Sequence, residues 1–165
     1  MIKVELTENN LLCAGLVGVC RQVSGFVRDV QAGRDTQKGK YGVNNAVNGW
    51  QYNCDGAMAE MAVAKHFGVF YDGAYGNFKA KDVGELQVRS TSLKRGSLLL
   101  HDSDLDDDRF ILVLTFEAPV LYLCGWCYGR EGKQEQYWRT DTKRPAYFYP
   151  QNFLRSMDTI SQSEG

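Results

Sequence analysis

Apolar residues recur along this chain with two periods. Between residues 8 and 30, Leu11, Leu12, Leu16, Val19, Val23 and Val27 return at helical spacing, and Thr7 stands where an N-cap belongs. This pattern predicts a helix that packs its apolar face into the core. Glycines 15, 18 and 25 weaken it or let another backbone approach closely. A second helix is predicted over residues 55–67, with Asp55 as its cap and Gly68 as its stop. Lys65, His66 and Asp55 define its polar side. Glu60 falls opposite, with Val63, Ala64 and Phe67. A carboxylate there is costly unless it meets a core arginine or a metal ion.

The other period is two. In residues 81–91, Leu86 and Val88 alternate with Glu85, Gln87 and Arg89, which predicts a half-buried strand whose polar face carries a carboxylate, an amide and a guanidinium. A polar turn at residues 93–96 leads to a short apolar run, 97–101, expected to pair with that strand. Residues 109–116 and 120–128, separated by Glu117-Ala118-Pro119, read as a hairpin of core strands. Residues 146–149 form a last short strand, residues 151–157 a closing turn, and residues 158–165 a frayed tail. Residues 31–53 have no apolar period and read as an irregular connection. The expectation is one domain over residues 1–165, of α/β (α+β) class, with a mixed sheet of five or six strands flanked by helices.

Composition narrows the classes. The 165 residues are 44% hydrophobic and 24% charged with a net charge of −1, so a nucleic-acid surface has to be a local patch. The first eight residues lack the basic-then-apolar order of a signal peptide, and no uninterrupted apolar run reaches the length of a membrane span. A cytoplasmic protein without a membrane partner is the expectation. Five cysteines, an odd number, argue against a disulfide framework. Cys124 and Cys127 have redox-motif spacing but lie inside a predicted strand, which makes them small core residues. The run from Asp102 to Asp108 has partial calcium-loop spacing, yet Asp107 and Val113 stand where a glycine and a glutamate are required. It reads as a solvated acidic turn.

Local basic residues offer two nucleic-acid surfaces. Arg34, Lys38 and Lys40 lie with Tyr41 and Trp50 in the irregular connection. Arg130, Lys133, Arg139, Lys143 and Arg144 accompany Tyr137 and Trp138. Lys94 and Arg95, in the turn after the central strand, are further candidates for phosphate contact.

The order of Glu60 on a helix, then Asp82, then Gln87-Val88-Arg89 on a strand resembles the PD-(D/E)XK nuclease superfamily, the restriction-endonuclease-like fold. The helix Gly56-Ala-Met-Ala-Glu60-Met-Ala-Val-Ala-Lys65 looks like that of small phage and prophage proteins of this type. So do Asp82-Val-Gly-Glu-Leu-Gln-Val-Arg-Ser-Thr91, Gly125-Trp126 and Arg144-Pro-Ala-Tyr-Phe-Tyr-Pro-Gln151. The resemblance covers roughly residues 50–154. It implies a restriction-endonuclease-like core that hydrolyses DNA phosphodiester bonds with Mg²⁺ or Mn²⁺, in the cytoplasm of a bacterial host. Asp82 is then the primary metal ligand, assisted by Gln87, the Val88 carbonyl and Glu60, with Glu85 as a spare carboxylate. Gln87 replaces the usual carboxylate and weakens metal binding. Arg89 replaces the usual lysine; it stays protonated, so it orients phosphate rather than acting as a base. The alternative left open is a degenerate site that binds DNA or a protein partner without cutting. A nuclease that cuts both strands often works as a dimer, so a homodimer is a further expectation, although no stretch of the sequence marks an interface.

Overall fold

The computed structural model describes residues 1–35, 48–73, 81–142 and 144–160. The chain runs β1 (Ile2–Glu5), α1 (Glu8–Gln31), α2 (Trp50–Phe67), β2 (Leu86–Thr91), β3 (Leu98–Leu100), β4 (Arg109–Glu117), β5 (Val120–Tyr128), the single turn α3 (Gly129–Gly132), β6 (Trp138–Arg139) and β7 (Ala146–Tyr149). Short 3-10 turns at Gln151–Phe153 and Met157–Thr159 close it. The class is mixed α and β, as the alternation of periods predicts.

Four strands form the main sheet in the order β1-β5-β4-β2. β2 runs parallel to β4, whereas β4–β5 and β1–β5 are antiparallel. β4 lies inside this sheet and is covered on both faces. That explains its unbroken buried run, Phe110 to Thr115, where a half-exposed strand would alternate. Ile111 and Val113 join Leu86, Val88, Leu121, Leu123 and Trp126 in a core under α2. Phe110, Leu112 and Leu114 join Leu98, Leu100, Cys127 and Tyr149 in a second core on the opposite face. Cys124 and Cys127 are small residues of β5, as expected, and burial pushes the Cys127 thiol up to about 12. A bulge in β5 leaves Cys124 without a partner, and a Cβ at Gly125 would lie 2.4 Å from the Arg155 carbonyl oxygen, so only glycine admits the returning chain there.

Several expectations change. The run 97–101 does not pair with the central strand. β3 pairs with β7 in a separate antiparallel sheet, β3-β7-β6, where Leu98 and Leu100 bury against Phe110, Leu112 and Leu114 of β4. The second helix begins at Trp50, five residues early. Asp55 is therefore no cap but a buried side chain one turn in, accepting from Gln51 Nε2 at 2.6 Å. The tail is docked at its start, since Ile160 is buried beside Met157.

The largest change concerns α1. Its capping is as predicted: Thr7 accepts from the Asn10 amide and Asn10 returns the bond. Its apolar stripe, however, faces outward. Leu12, Leu16, Val19, Val23 and Val27 are exposed, and only Leu11 of the predicted set packs on the core. α1 meets α2 through Ala14, Gly18, Gln22 and Asp29 instead. Small residues allow close approach, and polar bonds fix the rotation, among them Asn53 Nδ2 to Gln22 Oε1 at 2.8 Å. A Cβ on Gly18 would lie 2.7 Å from Cys54 Sγ and 2.8 Å from its Cα. Gly18→Val is expected to cost about 1–3 kcal/mol by overpacking, read as a lower urea midpoint.

Candidate active site

Asp82 stands in the turn that leads into β2. Its amide donates to the Leu86 carbonyl at 3.0 Å, which folds the turn back onto the strand. β2 is an edge of the main sheet, so the outward N–H of Val88 has no strand to pair with. Asp82 Oδ2 accepts it at 2.7 Å. Burial pushes the Asp82 carboxyl above its ordinary value, against that bond and the nearby arginines.

Arg89, the residue after Val88, curls around the same edge. Its Nη1 donates to the Val88 carbonyl at 3.2 Å and lies 3.8 Å from Asp82 Oδ2. Its stronger partner is Asp104, whose two oxygens accept from Nη2 at 3.1 and 3.2 Å. The guanidinium also lies 5.1 Å from the centre of the Phe110 ring. Asp104 is itself fixed, since its Oδ2 accepts from the His101 amide at 2.9 Å. The acidic run is solvated at Asp102, Asp106 and Asp107, as expected, while Asp104 and Asp108 are half-buried and buttress the turn. Asp104 holds Arg89, Asp106 meets Lys133, Asp107 meets Arg130 and Asp108 meets Lys81.

Glu60 is buried on α2, as its apolar face predicts. Arg21 of α1 reaches across and donates to both of its oxygens at 2.7 Å, and the Tyr71 hydroxyl donates to Oε2 at 3.0 Å. The carboxyl is nevertheless raised, first by burial and also by the charge of Asp82. The two carboxylates are therefore electrostatic neighbours, each surrounded by arginine. Gln87 is half-buried on the face of β2 that carries Arg89, and Glu85 is exposed in the preceding turn. Among the described residues, no three His, Cys, Asp or Glu side chains form a group that can hold a metal ion.

The expected nucleic-acid residues are scattered. Lys94 and Arg95 are exposed beyond the far end of β2. Arg139, on β6, is paired with Asp141 at 2.6 Å, and Arg34 is bonded to Asp29 at 2.8 Å. Lys38, Lys40, Tyr41 and Lys143 lie outside the described residues.

A different pair of arginines lines a pocket. Arg109 is the strand partner of Leu86, on which the Asp82 turn folds. With Trp126, Tyr128, Arg155, Ser156 and Thr159 it lines an open pocket of about 520 Å³. Arg155 lies over both rings, 4.9 Å from Trp126 and 5.3 Å from Tyr128. Trp126 is buried, Arg130 also lies over Tyr128 at 4.4 Å and Arg155 is paired with Glu131, so the rings are covered by arginine, and what the pocket offers a phosphate is its guanidinium groups. Neither arginine stands in a basic run, so sequence alone gives no signal for them.

No known family matches this chain, and no curated protein or solved structure matches it.

Proposed function

We propose that this chain is a nuclease-like protein of restriction-endonuclease type that hydrolyses DNA phosphodiester bonds with Mg²⁺ or Mn²⁺ at Asp82. The observation that carries this reading is the convergence of Asp82, the Val88 peptide and Arg89 at the open edge of β2, with the charge of Asp82 among the causes that raise the Glu60 carboxyl. Burial raises both carboxyls, and the ionised form of Asp82 would be favoured by a divalent cation there. Arg89 leaves room for it, because Asp104 takes the guanidinium and the contact to Asp82 is long.

Asp82, Gln87 and the Val88 carbonyl would hold the ion. Glu60 would assist through water, since Arg21 occupies both its oxygens. A divalent cation supplies an acidified water and neutralises phosphoryl oxygens. Arg89 stays protonated and cannot act as the base, and it would instead steady a non-bridging phosphate oxygen. Arg109 and Arg155 would receive a neighbouring phosphate. Such a protein fits a phage or prophage product acting in a bacterial host.

The test is supercoiled plasmid incubated with Mg²⁺, Mn²⁺ or chelator. Nicking that requires the metal supports the reading. Salt-sensitive DNA binding with no cleavage in either metal supports the alternative, a site that binds without cutting. One observation favours that alternative: the bidentate Arg21–Glu60 pair puts a guanidinium where a second cation would otherwise sit.

Asp104 has a testable part in this arrangement. Asp104→Ala frees Arg89 to close on Asp82, and it is expected to weaken Mn²⁺ binding by about 10–100-fold, the range for loss of a supporting group. A binding isotherm reads the change.

A further inference from the structure

We propose that the outward stripe of α1 is the interface with a second copy of this chain. Leu12, Leu16, Val19, Val23, Val27 and Val30 are 59%, 67%, 43%, 47%, 49% and 66% exposed. They recur at steps of four and three, so they form one seam about 27 Å long at the rise of an α-helix. Among the described residues, none covers this seam. The opposite face of α1 already packs on α2 through Ala14, Gly18 and Gln22.

Its extent suits a dimer. Six half-exposed aliphatic side chains amount to on the order of 500 Å², the upper end of what a monomer leaves bare. Two such seams with their flanking atoms bury about 1,000 Å² or more, where specific interfaces begin. A two-fold axis sets the seam against itself, which is the self-complementary arrangement of most homodimers. Small residues flank it: a Cβ at Gly15 would meet nothing within 4 Å, and Cys13 is exposed beside it. The helix dipoles favour an antiparallel pair.

α1 is also long and apolar enough, by composition, to cross a bilayer. Its α2 face argues for the protein partner. Insertion would strip Arg21 from Glu60 and Gln22 from Asn53, leaving polar groups in hydrocarbon. The inference stands apart from the nuclease reading and survives or fails without it.

Sedimentation equilibrium of the full chain at micromolar concentration tests it. The wild type is expected to be a dimer. L16E/V23E is expected to weaken association by roughly 100-fold or more, as when two central contacts of an interface are lost, with an unchanged far-UV circular dichroism spectrum. L16A/V23A, which adds no charge, should weaken it less. A monomeric wild type overturns the proposal, as does an L16E/V23E variant that still dimerises. So does a wild type that floats as a monomer with phosphatidylcholine–phosphatidylglycerol vesicles.

Discussion

Asp82→Ala is expected to lower metal-dependent DNA cleavage by two orders of magnitude or more. Removing a group that merely supports a ligand costs about 10–100-fold in metal affinity or activity, and a primary ligand costs at least that. The substitution also takes away the acceptor for the Val88 amide and the negative charge beside Arg89. The lost edge bond is worth only about 1 kcal/mol, so the variant should still fold. Cleavage rate measured on folded protein, with far-UV circular dichroism as the control, separates loss of chemistry from loss of structure. Asp82→Asn retains the acceptor for Val88 without the charge. It should fold like the wild type and remain as inactive as the alanine variant.

Arg21→Ala should be the most destabilising single change, costing about 3–5 kcal/mol, because it strands a buried carboxylate. The Arg21 side chain is 22% exposed and that of Glu60 is 7% exposed, so water does not replace the guanidinium. Tyr71 alone is left to bond Glu60. The deficit should depend on pH. With the arginine gone, burial pushes the Glu60 carboxyl still further above its ordinary value of 4.5 in the folded state. A group whose folded pKa is raised stabilises below its unfolded pKa, and that stability is lost as pH rises through the folded value. Urea midpoints should therefore show the greatest loss near neutrality and a partial recovery as pH falls toward 4.5. Pairing Arg21→Met with Glu60→Leu should return most of the stability, since neither charge is then buried alone.

Local chemistry explains what was legible in advance. Thr7 and Gly68 mark helix ends because their caps are satisfied within a few residues. The β4–β5 hairpin is legible because its strands are adjacent in sequence and uniformly apolar. Glu60 was recognisable as a carboxylate in want of a cation, because no helix periodicity places it on the wet side. Its partner was not recognisable, since Arg21 arrives from another helix. Asp104 was hidden for the same reason. Five aspartates in seven residues look alike in sequence, and only the approach of Arg89 distinguishes one. The partner of β3 lies across the chain in β7, and no local pattern encodes such a pairing. β1 is only four residues long and depends on β5 for its definition.

The α1 stripe shows a different limit. Helical periodicity reports that a face avoids water, not what covers it. The apolar face was taken for the core-facing one, whereas the structure turns the small and polar face inward and leaves the seam outside. The same misplaced expectation is what reveals a candidate interface.

The central claim is that Asp82 holds a divalent cation beside Arg89. Mn²⁺ titration followed by electron paramagnetic resonance, on the wild type and on Asp82→Asn, tests it most directly. The account predicts one strong Mn²⁺ site per chain in the wild type and its loss in the variant. A wild type that leaves Mn²⁺ free, or a variant that binds it equally well, would contradict the account.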